Sequence, residues 1–235
     1  MGATPFLSDL AQSAQFERFP TDSLEIFICG GAPIPRTLVR TANQRLGASI
    51  VAGWGMSENG LVTVTLRDDP QEKVFGTDGV CWSAMQTRIV DDDGQVLGPE
   101  QAGNLQARGA GNFVGYLKRP EAYTVDDEGW FETGDIASQD PDGYIRVTGR
   151  AKDIIIRGGE NVPVVEVEDV LYEHSAVREV AVVAMPDPRM GERGCAFVSL
   201  HDGLQFDFEA LKDHLANAKV AKNYWPERIE IMDAL

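Results

Sequence analysis

The sequence lacks several things, and each absence removes a class of function. No run of about 20 apolar residues occurs, so no membrane-spanning helix is expected. The first residues, MGATPFLSDLAQ, lack the basic and then apolar regions of a secretory signal. Cysteine is sparse: Cys29, Cys81 and Cys195 are far apart and odd in number. That suits reduced thiols in a cytoplasm and excludes a disulfide framework. The only histidines, His174, His201 and His214, share no ligand spacing with one another or with the cysteines, so no structural metal is expected. Basic residues are outnumbered 37 to 21, for a net charge of −16. Nucleic acid is thereby disfavoured as a partner. A small polyanion such as a nucleotide remains possible where local cations or backbone amides offset the field. Internal repeats and low-complexity segments are also missing.

What is present is a soluble-type composition, 43% hydrophobic and 25% charged, over 235 residues, enough for one large domain or two smaller ones. Its texture changes along the chain. Residues 1–70 read as strand–helix–strand: SLEIFICGG, then PRTLVRTANQRLG with apolar Leu38, Val39 and Ala42 and a stop at Gly47, then ASIVAGWGMSENG. This predicts a partial parallel α/β sheet. Residues 71–149 are β-rich, with alternating MQTRIV, NLQARG and YIRVTG between turn clusters, and predict a small antiparallel barrel-like subdomain or a distorted sheet. Residues 150–235 mix strands (IIIR, VREVAVVAM, GCAFVSL, ERIEIMD) with helices (PVVEVEDVLYEH, FDFEALKDHLANA), an α+β domain. The expected boundary lies near residues 149–152. The fold class is therefore α/β plus α+β, with a small mobile C-terminal domain.

Four motifs carry candidate chemistry. CGGAPIP (29–35) places glycines after a strand, where backbone N–H groups can meet an anion or a ring nitrogen, although a simple strand-to-helix turn would read the same. GWGMSENG (53–60) offers the flat ring of Trp54, the hydroxyl of Ser57 for phosphate and the carboxylate of Glu58 for Mg²⁺. The bland alternative is a buried tryptophan beside a polar turn. GWFETGDIASQDPDGYIRVTGR (129–150) carries Asp135 and Arg150, each expected near a strand end. A carboxylate can accept two hydrogen bonds, as a ribose diol would donate. Asp135 taken alone reads as half of a surface Asp–Arg pair of little worth. TGRAKDIIIRGGEN (148–161) joins a charge cluster, three stiff isoleucines and a glycine pair. A rigid strand on a polar pivot would suit a moving domain, with Gly158 and Gly159 giving a side-chain-free surface. Two glycines in a hairpin turn is the plain alternative.

Taken in order, GGAP, an aromatic-Gly-x-Ser-Glu loop, TGD, then GR-x-K-D and RGGEN resemble the adenylate-forming (AMP-binding) superfamily, above all the acyl-CoA synthetases. HSAVREVAVVAMPDPRMGE and KNYWPERIEIMDAL are similar to that family's C-terminal domain, so the likeness covers essentially the whole chain. The resemblance implies an AMP-forming ligase using ATP, Mg²⁺ and coenzyme A. A carboxylic acid would be adenylated and then passed to the thiol of CoA or of a carrier protein. It implies that Gly31, Ala32 and Pro33 line the adenine, and that Trp54 stacks near the base beside Gly55. Ser57 would bond phosphate, Glu58 would hold Mg²⁺, and Asp135 and Arg150 would grip the ribose. Lys152 matches the hinge position. Arg157, Gly158, Gly159, Glu160 and Asn161 would border the CoA tunnel after the C-terminal domain turns. No acid–base dyad is needed, because positioning and electrostatics carry such chemistry.

Two family elements have no counterpart here. The Ser/Thr/Gly-rich phosphate loop with its lysine does not precede residue 29, and no Pro-x-x-x-x-Gly-Lys segment is found; Lys222 has the wrong context. The reading that follows is the C-terminal part of a longer enzyme, nearly inactive in adenylation alone. A non-catalytic remnant that binds nucleotide or a protein partner is the alternative from another class.

Overall fold

The chain opens with a short helix, α1 (Thr4–Gln12), whose Pro5 sits in the first turn, where a missing N–H costs nothing. Strand β1 (Ile26–Cys29) and helix α2 (Arg36–Leu46) follow. Helix α2 buries Leu38, Val39, Ala42 and Leu46, an apolar stripe at helical spacing. It ends where Gly47 turns left-handed at φ 66° and donates its N–H to the Asn43 carbonyl. Strands β2 (Ser49–Met56) and β3 (Gly60–Val64), helix α3 (Gln71–Gly76) and strand β4 (Val80–Cys81) complete a first layer. Its sheet runs β1-β2-β3-β4. The β1/β2 pair is parallel, with Cys29 opposite Ala52, and the other pairs are antiparallel. The parallel part of the sheet is thus a single pair.

Strands β5 (Met85–Val90), β6 (Gly103–Gly109), β7 (Phe131–Gln139) and β8 (Ile145–Arg150) form a second sheet in that order. It is open: alternation in the sequence specifies the strands and their buried face, but closure into a barrel would need a further pairing of the two edges. Ile89, Leu105, Ala137 and Ile145 form its core, and Trp54 of β2 packs both on this cluster and on that of Val62, Met85 and Ala107. Leu105 and Ile145 are fully buried, each contributing about 2 kcal/mol relative to exposure.

The remaining elements are β9 (Ile155–Arg157), β10 (Glu160–Val162), α4 (Val164–Tyr172), β11 (Val177–Asp187), β12 (Gly191–Leu200), α5 (Phe208–Asn217) and β13 (Arg228–Met232). Their sheet is ordered β10-β9-β12-β11, with β13 parallel on β12. Helices α4 and α5 contribute Val167, Leu171, Leu211 and Leu215 to a core with Ile155, Val182, Ala196 and Val198. Asp207 starts α5 by accepting the Ala210 N–H at 2.9 Å. Of the three isoleucines, Ile155 enters the core, whereas Ile156 is 51% exposed.

This computed structural model describes residues 1–15, 18–123 and 125–235, and it divides into two units, Met1–Val147 and Thr148–Leu235. No helix among the described residues is long and apolar enough to cross a membrane.

Candidate active site

In the first unit the parallel pair β1/β2 delivers two glycine-bearing segments to the same end of the sheet. A side chain on Gly30 would place its Cβ 2.4 Å from the Gly53 carbonyl oxygen, so only glycine permits this approach of the two backbones. Gly31 then turns at φ 86°, and the Thr4 hydroxyl ties the loop down by donating to the Pro33 carbonyl at 3.0 Å. Gly31, Ala32 and Pro33 are all exposed on this turn. Cys29, just before it, is buried, and burial raises its thiol pKa.

Strand β2 continues into a tight hairpin with β3. A Cβ at Gly55 would lie 1.8 Å from the Gly60 carbonyl oxygen, a contact no side chain survives. Asn59 closes the turn by accepting the Met56 N–H on its side chain at 3.1 Å and returning its own N–H to the Met56 carbonyl at 3.2 Å. Ser57 stands exposed at the tip and Glu58 is half-buried beside it. The Tyr116 hydroxyl donates to Glu58 Oε1 at 2.6 Å, and the Phe113 N–H donates to the Glu58 carbonyl at 2.7 Å. That bond to Glu58 raises the Tyr116 phenol above its ordinary pKa.

Trp54 and Asp135, 81 residues apart, meet directly: the indole N–H donates to Asp135 Oδ2 at 2.8 Å. Asp135 is not near a strand end as the sequence suggested, but in the middle of β7. The strand runs on because it bulges there. Gly134 adopts φ 73°, and the register to β6 shifts between Asn104 and Gln106. A bulge of this kind re-aims a side chain without ending the strand. Thr133 locks it by donating its hydroxyl to the Leu105 carbonyl at 2.6 Å and accepting the Asp135 N–H at 3.1 Å. With Asp135 only 4% exposed, its carboxylate is fixed in direction within the chain itself.

In the second unit Arg150 closes β8 and is exposed, as is Lys152 within the single helical turn Ala151–Asp153. Arg157, Gly158, Gly159, Glu160 and Asn161 form one two-residue hairpin, with Arg157 paired to Glu160. Both glycines are left-handed, at φ 61° and 89°, the geometry that matches strand twist. Arg157 pairs with Glu227 at 2.7 Å, Glu227 also faces Arg193 at 3.4 Å, and Asn223 donates to Glu160 at 2.6 Å. Among the described residues, no three His, Cys, Asp or Glu converge on a space that could hold a metal ion.

The sequence reading therefore found the glycine turns and the polar groups but not what holds them. Thr4, Asn59 and Tyr116 went unread. The glycine-and-aromatic spacing of GAGNFVGY (109–116) was the available signal for Tyr116.

Comparison with known proteins bears on this arrangement. The family model described as AMP-binding enzyme matches residues 1–117, and that described as AMP-binding enzyme C-terminal domain matches residues 166–235. The medium-chain fatty-acid–CoA ligase of Escherichia coli K12 is 38% identical over the whole of this chain, which spans 42% of that relative. ATP-bound MatB from Rhodopseudomonas palustris superposes with a TM-score of 0.91 at 29% identity, covering 100% of this chain and 47% of that one. The o-succinylbenzoate CoA synthetase of Bacillus subtilis, in complex with its acyl-adenylate intermediate, gives a TM-score of 0.84 at 28% identity, covering 99% and 47%. The chain spans less than half the length of these relatives. Sequence motifs, fold and both family models agree: the chain belongs to the AMP-binding, adenylate-forming enzyme family.

Proposed function

We propose that this chain supplies nucleotide-handling and thiol-handling parts of an ATP-dependent acid–thiol ligase, with CoA as the thiol. One observation carries the reading. The glycine turn after β1, the Trp54–Gly55 segment of β2 and the buried Asp135 of β7 come from distant parts of the chain. They are joined through the Gly30–Gly53 approach and the 2.8 Å Trp54–Asp135 bond. Ligands of open α/β sheets bind beyond the C-terminal ends of parallel strands, which is where both glycine segments emerge.

In this reading the exposed turn of Gly31, Ala32 and Pro33 receives the adenine, with the Trp54 ring close by. Asp135 accepts hydrogen bonds from the ribose hydroxyls, and Arg150 is a cation for the nucleotide. A substrate carboxylate oxygen attacks the α-phosphorus, the bond to pyrophosphate breaks, and an acyl-adenylate results. A thiolate sulfur then attacks the acyl carbon, and AMP departs with the electron pair of the broken C–O bond. Ser57 donates to a phosphate oxygen. Mg²⁺ fits this donor set only through Glu58, with nucleotide oxygens and water completing the shell; it would neutralise phosphate charge. Lys152 serves as the pivot between the two steps, and the hairpin of Arg157, Gly158, Gly159, Glu160 and Asn161 borders the thiol's route. CoA is preferred as the thiol because two of the similar proteins are named as a CoA ligase and a CoA synthetase.

Calorimetric titration with AMP and with ATP tests the reading. The unaltered chain should bind both. Asp135→Asn keeps an acceptor for the Trp54 indole but removes the charge, and should weaken AMP binding by about 2 kcal/mol, near thirtyfold. Failure of the unaltered chain to bind either nucleotide would overturn the assignment.

A further inference from the structure

We infer that Tyr116 is a positioning residue for Glu58, holding its carboxylate in the direction from which it meets a magnesium–nucleotide complex; this rests on the ligase reading above. A glutamate at the tip of a hairpin has three side-chain torsions and would ordinarily sweep a wide arc. Here one oxygen is fixed by the Tyr116 hydroxyl at 2.6 Å. An ionised carboxylate has about four acceptor sites, so a single phenol bond sets its orientation without exhausting its capacity for a cation.

A surface tyrosine–glutamate bond would usually mean little. Three features distinguish this one. The backbone of residues 111–116 is pressed onto the same hairpin at two other points: a Cβ on Gly111 would lie 2.5 Å from the Asn59 carbonyl oxygen, and the Phe113 N–H reaches the Glu58 carbonyl. The phenol is itself located by ring packing, edge-on to Phe113 at 4.8 Å. Phe113 in turn packs edge-on against Tyr123 at 4.9 Å and the buried Phe131 at 5.7 Å, and Tyr123 donates its hydroxyl to the Phe113 carbonyl at 2.8 Å. The side chain and the main chain of Glu58 are thus held by one strap anchored on β7. Groups that orient a metal-binding carboxylate are worth about 10–100-fold in metal affinity when removed.

The test is binding of a non-hydrolysable ATP analogue to the full 235-residue chain, measured across a magnesium titration. Tyr116→Phe keeps the ring packing and removes the hydroxyl. It should raise the magnesium concentration for half-maximal binding about tenfold or more, while binding of the analogue in EDTA and the unfolding midpoint stay unchanged. In a Glu58→Gln background the same substitution should add nothing. An unaltered magnesium requirement in Tyr116→Phe overturns the inference alone. So does an effect that persists in the Glu58→Gln background, which would assign it to ring packing. Magnesium-independent or absent binding in the unaltered chain removes the ligase reading and this inference together.

Discussion

Two hairpins, each built around glycine, lean on different features of that residue. The turn between β2 and β3 is closed locally by Asn59 and clamped by partners distant in sequence: Phe113 and Tyr116 grip Glu58, and Gly111 abuts Asn59. Within the hairpin, the backbone at Gly55 lies so close to the Gly60 carbonyl that no Cβ fits on Gly55, whereas Gly60 itself turns left-handed at φ 63° into open space. The turn between β9 and β10 takes its shape from its own backbone angles, and the Gly158 N–H donates outward to the Met190 carbonyl at 2.8 Å. Gly158 and Gly159 both adopt left-handed angles; a Cβ at Gly159 would meet nothing within 4 Å, and one at Gly158 would meet only the flexible end of the Met190 side chain at 2.5 Å. The lesson is that glycine serves close approach at Gly55 and backbone handedness at Gly159, so the same residue type carries different costs of replacement.

The largest expected effect tests that distinction. Gly55→Ala must force the β2/β3 pair apart and should destabilise the first unit by roughly 3 kcal/mol or more, since overpacking at a backbone contact cannot be relieved by a rotamer change. Gly159→Ala meets open space and should cost only the left-handed penalty, about 1–2 kcal/mol. Urea unfolding of both variants would decide it. Equal losses would erase the contrast.

A second test sharpens the comparison at the level of the surrounding packing. Helix α4 aims Glu168 at the edge of β11, where its Oε1 accepts the Val182 N–H at 2.7 Å. Burial pushes this carboxyl up to about 7, the Val182 bond opposes the rise and neighbouring Asp169 adds to it. A raised acid pKa means the native state binds the proton more tightly than the unfolded chain. Its stabilising contribution is therefore full below the unfolded value of 4.5 and is lost as pH rises through about 7. The loss over that window is at most about 3 kcal/mol. Glu168→Gln can still accept the N–H and should flatten the slope between mildly acidic and neutral pH in thermal unfolding. A slope that survives the substitution would place the titrating group elsewhere. Asp187 behaves in the opposite sense. The Met190 N–H, ahead of the Arg189 N–H and Arg193, holds its carboxyl below the usual range, so its contribution is lost only in stronger acid.

These cases show how far the sequence could be read. Helix α2 was legible because four apolar positions recur at helical spacing before Gly47, and α5 because an apolar stripe follows an aspartate placed to cap it. Strands β11, β12 and β13 were legible as apolar runs between turn residues. Helix α1 was not, since Pro5 in its first turn reads as a break, and β3 merged with the glycine loop before it. The mid-strand position of Asp135 was hidden because TGD looks like a turn until β6 supplies the partner that makes it a bulge. Candidate site residues could be named from local pattern. Their holders could not, because the Trp54–Asp135 and Glu58–Tyr116 bonds span 81 and 58 residues. Nothing in a local window specifies such a pairing.

The smallest effect is expected at the ion pair that ties the β9–β10 hairpin to Glu227. Arg157 reaches Glu227 at 2.7 Å, but both side chains are nearly a quarter exposed, and Glu227 also faces Arg193, which in turn pairs with Asp187 at 2.7 Å. Arg157→Ala therefore leaves Glu227 with a cation and exposes little new apolar surface. The cost should be about 1 kcal/mol or less, and smaller still at high salt, where partly exposed pairs are screened. Glu227→Ala should cost more than Arg157→Ala, because it strips two arginines of an anion at once. Chemical unfolding at low and high ionic strength measures both. If Arg157→Ala proved as damaging as Gly55→Ala, and remained so in high salt, the second hairpin would depend on long-range partners as the first does, and its turn angles would be a consequence of packing rather than its cause.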